Sequence, residues 1–204
     1  MKLKFDSNLG YQLDAISSIV DLFEGLPAQK GAFEISLGQT EVLGAAETEL
    51  GIGHSLNLDA SRWLKNLQAI QERNVIPKSH LLIEPASSYG FPNFSVEMET
   101  GTGKTYVYLR TIFELHRRYG FKKFIIVVPS VAIREGVLAS LNLMTPHFRG
   151  LFENVPFDYF VYDSDNLSKV RQFPRGSFLL LNLLLTGYAF RPAQQVASPG
   201  VGPT

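Results

Sequence analysis

The chain has 204 residues, 45% hydrophobic and 19% charged, and its 19 basic and 19 acidic side chains cancel. This is enough apolar material for one ordinary core and excludes disorder throughout. The neutral balance excludes whole-surface attraction to nucleic acid or membranes, so any DNA contact has to come from a local patch. The absence of cysteine removes disulfides, thiolate metal sites and Cys nucleophiles, and suits a reducing interior.

Met1-Lys2-Leu3-Lys4-Phe5-Asp6 lacks the apolar core of a secretion signal, which makes a cytoplasmic location the default. Leu9-Gly10-Tyr11-Gln12 then opens a helix with apolar residues Leu13, Ile16, Ile19, Val20 and Phe23 at helical spacing, ending near Gly25 and Pro27. Gln12 lies in its first turn. A side-chain amide there can donate to and accept from an adenine edge in one plane, although residue type alone favours a surface glutamine. From Ala28 to about Asp59 the chain is rich in Gly, Ser, Thr and Glu and reads as an insertion, with a hairpin one form it could take. A second helix is predicted over Ala60 to Asn74, with Trp63, Leu64, Leu67 and Ile70 on one side, Asp59 or Ser61 as N-cap and Pro77 beyond its end. Pro85 to Pro92 is a turn-rich connection.

Met98-Glu99-Thr100-Gly101-Thr102-Gly103-Lys104-Thr105 is the most informative stretch. Gly101 and Gly103 let the main chain turn sharply and point successive N–H groups at phosphate oxygens with no Cβ in the way. Lys104 would reach the terminal phosphates as a point charge, and the Thr105 hydroxyl would take one position on Mg²⁺. The general pattern begins with Gly where this chain has Met98. Context favours the site: Phe94 to Met98 can form a short strand into the loop, and Tyr108, Ile112, Leu115 and Tyr119 mark one face of a following helix, with Arg110, Arg117 and Arg118 largely on the others. The alternative is a Gly-rich turn that merely joins the two elements.

Further on, Phe124 to Val128 is a run of β-formers without alternation, as in a parallel strand covered on both faces. Pro129-Ser130 stops it, a helix is predicted from about Ser130 to Asn142, and Phe157 to Tyr162 supplies another strand. Phe178 to Leu185 is far shorter than the roughly 20 apolar residues a bilayer requires and reads as a buried strand. Strands alternating with helices imply an α/β fold with a mainly parallel, helix-covered sheet. Residues 191–204 hold three prolines and almost no large apolar side chains, and are expected to be disordered. The basic cluster His116-Arg117-Arg118 with Lys122-Lys123 reads as a solvated helix end rather than a DNA patch, and His54, His80 and His147 have no ligand spacing. Asp163 and Asp165 follow an apolar strand end but sit in ordinary turn chemistry.

Three segments in order, Tyr11 to Ile16, Met98 to Thr105, and Val127-Val128-Pro129-Ser130-Val131-Ala132-Ile133-Arg134-Glu135-Gly136-Val137, resemble the restriction (Res) subunit of Type III restriction-modification enzymes, whose helicase-like motor belongs to the second helicase superfamily. The likeness runs from about Leu3 to Phe173. It implies a three-layer, RecA-like P-loop NTPase lobe, here incomplete. Residues 1–27 would form an adenine-sensing helix, 28–92 an insertion and linker, 93–190 a partial ATP-binding lobe and 191–204 a tail. On this resemblance Gln12 senses adenine, Thr100, Gly101, Thr102, Gly103, Lys104 and Thr105 bind ATP with Mg²⁺ on Thr105, and Ser130 touches the DNA backbone. Met98 in place of Gly is what such motors often carry. The implied partners are double-stranded DNA and the modification methyltransferase subunit that reads the site, with no membrane.

Such subunits continue with an Asp-Glu motif, a second motor lobe and a nuclease domain, none of which is recognisable here, where Ser164 follows Asp163. The expectation is therefore ATP–Mg binding without turnover, no catalytic residue in this chain, and a truncated or frameshifted gene. Two other readings stay open. One is a small P-loop phosphotransferase with Asp163 as metal carboxylate and the region from Phe33 to Asp59 as an acceptor lid; the other is a non-enzymatic nucleotide-binding remnant.

Overall fold

A computed structural model describes residues 5–27, 56–83, 90–162, 179–185 and 194–197. They fall into two units, residues 1–26, 57–114 and 189–204 in the first and residues 27–56 and 115–188 in the second. Of the expected insertion from Ala28 to about Asp59, residues 28–55 with His54 lie outside the described residues, as do residues 85–89 of the turn-rich connection from Pro85 to Pro92, and Asp163 and Asp165.

The first unit begins with α1 (Gly10–Val20), continued by a 3-10 turn over Asp21–Phe23. Gly25 breaks it with φ +93°, a conformation that costs glycine nothing. Helix α2 (Ala60–Arg73) is capped by Asp59, whose side chain accepts from the Arg62 amide at 2.8 Å. The Ser61 hydroxyl, then the Arg62 amide, hold the Asp59 carboxyl below its ordinary range. Leu22, Leu67 and Ile70 form a core here, with Phe23, Trp63, Phe94 and Val96 packed against it. The Trp63 ring stacks on Phe94 with centroids 5.9 Å apart, so α2 backs the strand that enters the glycine loop. Asn66 fastens the end of the 3-10 turn to α2, its amide donating to the carbonyls of Leu22 and Glu24, both at 2.9 Å.

The C-terminus of α2 closes with the Ile76 amide on the Gln71 carbonyl and the Val75 amide on that of Glu72, which places Val75 in the left-handed position at φ +56°. A β-branched residue is a poor occupant of that region, and this one is 93% exposed, so its side chain returns little packing. Replacing it with glycine removes the strain, partly offset by the looser unfolded chain. Val75→Gly is expected to stabilise the protein by about 0.5–1 kcal/mol in urea denaturation, and a loss of stability would contradict the strain.

Strand β1 (Phe94–Val96) leads through the loop into α3 (Lys104–Tyr119), which starts in the first unit and ends in the second. Of the predicted apolar face of α3, Ile112, Leu115 and Tyr119 are buried and Tyr108 is half-buried, and Leu109 and Phe113, which the spacing did not include, are buried as well. Arg110, expected on an outer face, is instead only 8% exposed. Residues 194–197, placed by composition in a disordered tail, form β5 (Gln194–Ala197) parallel to β1. The backbone can pair whatever its side chains are, which is why composition missed it.

In the second unit β2 (Lys123–Val128), β3 (Phe157–Val161) and β4 (Leu179–Leu185) make a parallel sheet in the order β2-β4-β3, with α4 (Val131–Leu151) following β2 in the chain. Parallel strands of one sheet require a crossover, and α4 supplies it between β2 and β3, which lie on either side of β4. Every described strand pair is parallel, as the alternation of strands and helices implied. Two expectations need correction. Ile125 is 57% exposed, so β2 is not covered on both faces along its length. The helix after it ends at Leu151 rather than near Asn142, running through Pro146. The proline forfeits one backbone hydrogen bond, while Met144 and Phe148, both buried, extend the inward face set by Val137 and Leu141.

Candidate functional site

The loop between β1 and α3 is shaped by its own residues. Gly101 and Gly103 take φ +87° and +88°, the left-handed turns that the paired glycines anticipate. Thr102 ties the turn from inside, its hydroxyl donating to the Glu99 carbonyl at 2.7 Å and its amide at 3.4 Å. A Cβ built on Gly101 would meet nothing within 4 Å, whereas one on Gly103 would lie 2.6 Å from Nε2 of Gln12. Lys104 is the first helical residue and is exposed; it makes no ion pair with the described residues. Thr105 follows it, half-buried, and Thr100 stands exposed at the loop's entrance.

Gln12 sits against this loop from 90 residues away in sequence, its Nε2 donating to the Thr102 carbonyl at 2.9 Å. It is 6% exposed, which corrects the surface glutamine that residue type alone favoured. One of its two amide hydrogens is used on Thr102, and Oε1 makes no hydrogen bond with the described residues. The structure therefore brings Gln12, Thr102 and Gly103 together, with Thr100, Gly101, Lys104 and Thr105 in the same turn and the first turn of α3.

Ser130 belongs to the second unit. It caps α4, its hydroxyl accepting from the Ile133 amide at 3.3 Å, as expected of an N-cap serine. Arg134 in the first turn is paired with Glu135 at 2.9 Å. His80 is exposed, and no cluster of three His, Asp or Glu residues suited to a metal occurs among the described residues. Of the basic cluster, Arg117 and Arg118 are exposed, with the Arg117 guanidinium 5.8 Å from the centre of the Phe152 ring, and the His116 ring contacts the Phe121 carbonyl at 2.7 Å. These contacts suit a helix end.

Tyr108, one turn beyond Thr105, has a hydroxyl that is fully buried without a hydrogen bond of ordinary geometry to the described residues. Burial pushes its phenol above the ordinary tyrosine range, and the nearby Thr105 hydroxyl only partly offsets this. Such a group is costly to keep. Tyr108→Phe is expected to leave stability unchanged or raise it by up to about 1 kcal/mol in thermal or urea unfolding, and a clear loss would reveal a bond the hydroxyl makes.

A strand entering a turn of two left-handed glycines, Lys-Thr opening a helix, and parallel pairing of every strand among the described residues define a P-loop fold. Residues 10–155 match the family described as Type III restriction enzyme, res subunit, and the chain belongs to that family, with its helicase-like P-loop fold. It is 29% identical over 167 residues to the Type III restriction-modification enzyme EcoPI Res subunit of Escherichia phage P1, an alignment covering 81% of this chain and 16% of that protein. The EcoP15I Res subunit of Escherichia coli is 34% identical over 116 residues, 56% of this chain and 12% of that protein. The StyLTI Res subunit of Salmonella typhimurium is 50% identical over 64 residues, 30% of this chain and 6% of that protein. The chain thus spans no more than about a sixth of the length of these relatives. No described helix is long and apolar enough to cross a membrane.

Proposed function

We propose that this chain is the ATP-binding N-terminal motor segment of a Type III restriction endonuclease Res subunit, a partial three-layer RecA-like lobe working in the cytoplasm. The observation that carries the reading is the contact of Gln12 with the loop: α1 sets a buried amide against the turn whose main chain would cradle the phosphates. The loop's main-chain N–H groups and the Lys104 ammonium suit a triphosphate, and Thr105 would hold Mg²⁺ through its hydroxyl. The donor set fits, since the Gly101 side of the loop is open and Lys104 is not neutralised by a carboxylate among the described residues. Mg²⁺ would neutralise part of the triphosphate's charge. Oε1 of Gln12 would accept from the exocyclic amine of adenine, an acceptor-to-donor match that guanine, with a carbonyl there, cannot make.

In the same reading Ser130 and the free amides at the start of α4 meet the phosphodiester backbone of double-stranded DNA, fixing position without reading sequence. The modification methyltransferase subunit reads the site, and ATP hydrolysis in the intact enzyme drives movement on DNA and licenses cleavage. This segment supplies the binding half of that cycle, because phosphoryl transfer also needs a positioned water and positive charge beyond the γ-phosphate. Titration of the purified chain with ATP, with and without Mg²⁺, tests the core of the proposal. Saturable binding tightened by Mg²⁺ is expected. Adenosine binding as tightly as ATP would overturn it.

A further inference from the structure

The loop is made by one part of the chain and Gln12 is delivered to it by another, so something has to hold the two in register. The segment ahead of α1 is bound to α3 at two places one helical turn apart. The guanidinium of Arg110 donates to the Ser7 carbonyl at 2.5 Å, across 103 residues of sequence, and the Phe5 ring lies nearly parallel to that of Tyr106 with centroids 6.3 Å apart. Arg110 is itself positioned from both sides along the helix, by Glu114 at 3.7 Å in an i,i+4 ion pair and by the Tyr106 hydroxyl at 3.4 Å. From Ser7 the chain turns once, with the Asn8 amide on the Asp6 carboxylate at 2.8 Å, and enters α1. The N-cap of α1 is Leu9, which offers no side-chain cap, so the helix start depends on what holds the residues before it. Gln12 comes three residues later.

A guanidinium that is 8% exposed, with Nε lacking a well-formed hydrogen bond, is an expensive item to bury. The cost is tolerated where the group fixes a geometry that apolar packing would leave free to slide. We infer that Arg110 is a positioning residue for base recognition: through Ser7 it holds the start of α1 so that the Gln12 amide meets the loop, and it sets the preference for adenine without touching the nucleotide.

This rests on the reading of Gln12 as the adenine contact, and the test separates the two. ATP, GTP and inorganic tripolyphosphate are titrated in parallel against the wild-type chain, Arg110→Lys, Gln12→Ala and the double variant. The wild type is expected to favour ATP over GTP, and Gln12→Ala to lose that preference; if it keeps it, the Gln12 reading fails whatever Arg110 does. Arg110→Lys is expected to lower the ATP-to-GTP affinity ratio about fivefold, the factor one hydrogen bond carries, with tripolyphosphate affinity unchanged. In the Gln12→Ala background it should change the ratio no further. A purely structural arginine would weaken all three ligands together or none, and either result overturns the proposal. Phe5→Ala, which removes the second anchor without disturbing a buried charge, provides the same readout should Arg110→Lys fold poorly; an unchanged ratio there also counts against it.

Discussion

Lys104→Ala is expected to weaken binding of ATP–Mg by roughly thirtyfold or more, the consequence of losing a charged hydrogen-bond donor worth about 2 kcal/mol, while leaving the folded protein as stable as before. The two halves of that expectation come from one structural fact. Lys104 is the first residue of α3, where the helix dipole is positive and a cation is disfavoured. It is exposed and makes no ion pair among the described residues that would repay the placement. For stability alone alanine is the better residue there, so removal should be neutral or slightly stabilising. A lysine set against its own helix makes sense when a polyanion is to be bound between the ammonium and the amides. Calorimetric titration and thermal unfolding of the same preparations decide the matter. Equal ATP affinity in the variant would remove the site assignment, and a large drop in melting temperature would show that Lys104 serves the fold instead.

The loop, and the helix behind it, were legible because their requirements are local. Two glycines in left-handed conformation, Lys-Thr at a helix start and an apolar face at 3.6-residue spacing all follow from residue type and separation. The cap of α2 by Asp59 was readable for the same reason. What was not legible depends on partners distant in sequence. By residue type alone Gln12 looks like a surface residue, and only the family resemblance set it at the nucleotide; its bond to the Thr102 carbonyl is a contact that spacing could not give, and Arg110 looks like a surface residue until Ser7 arrives beneath it. The sequence held one clue, an arginine four residues from both Tyr106 and Glu114 and so on one helical face with each. The extension of α4 through Pro146 shows a related effect: the local rule against proline in a helix is real, but burying Met144 and Phe148 outweighs one missing backbone bond. Strand β5 lay furthest from reach, since Gln-Gln-Val-Ala between prolines carries neither alternation nor an apolar run.

The two glycines of the loop provide the sharpest comparison, because they share a backbone conformation and differ in surroundings. At φ +87° and +88°, alanine at either position is strained by about 1–2 kcal/mol. There the resemblance ends. A methyl group on Gly101 projects into open space, whereas on Gly103 it would come within 2.6 Å of Nε2 of Gln12, and the glutamine has to give way. Because the opposing atom is the tip of a flexible side chain, the chain can accommodate the methyl by rotating Gln12, at the cost of its bond to the Thr102 carbonyl, about 1 kcal/mol more. Gly103→Ala is therefore expected to destabilise the protein by about 2–3 kcal/mol in urea denaturation and Gly101→Ala by about 1–2 kcal/mol. The difference should vanish in the Gln12→Ala background, where no amide is left to displace. Equal losses for the two glycines with Gln12 present would mean that the amide does not sit on the loop in solution, and the adenine-reading role would go with it.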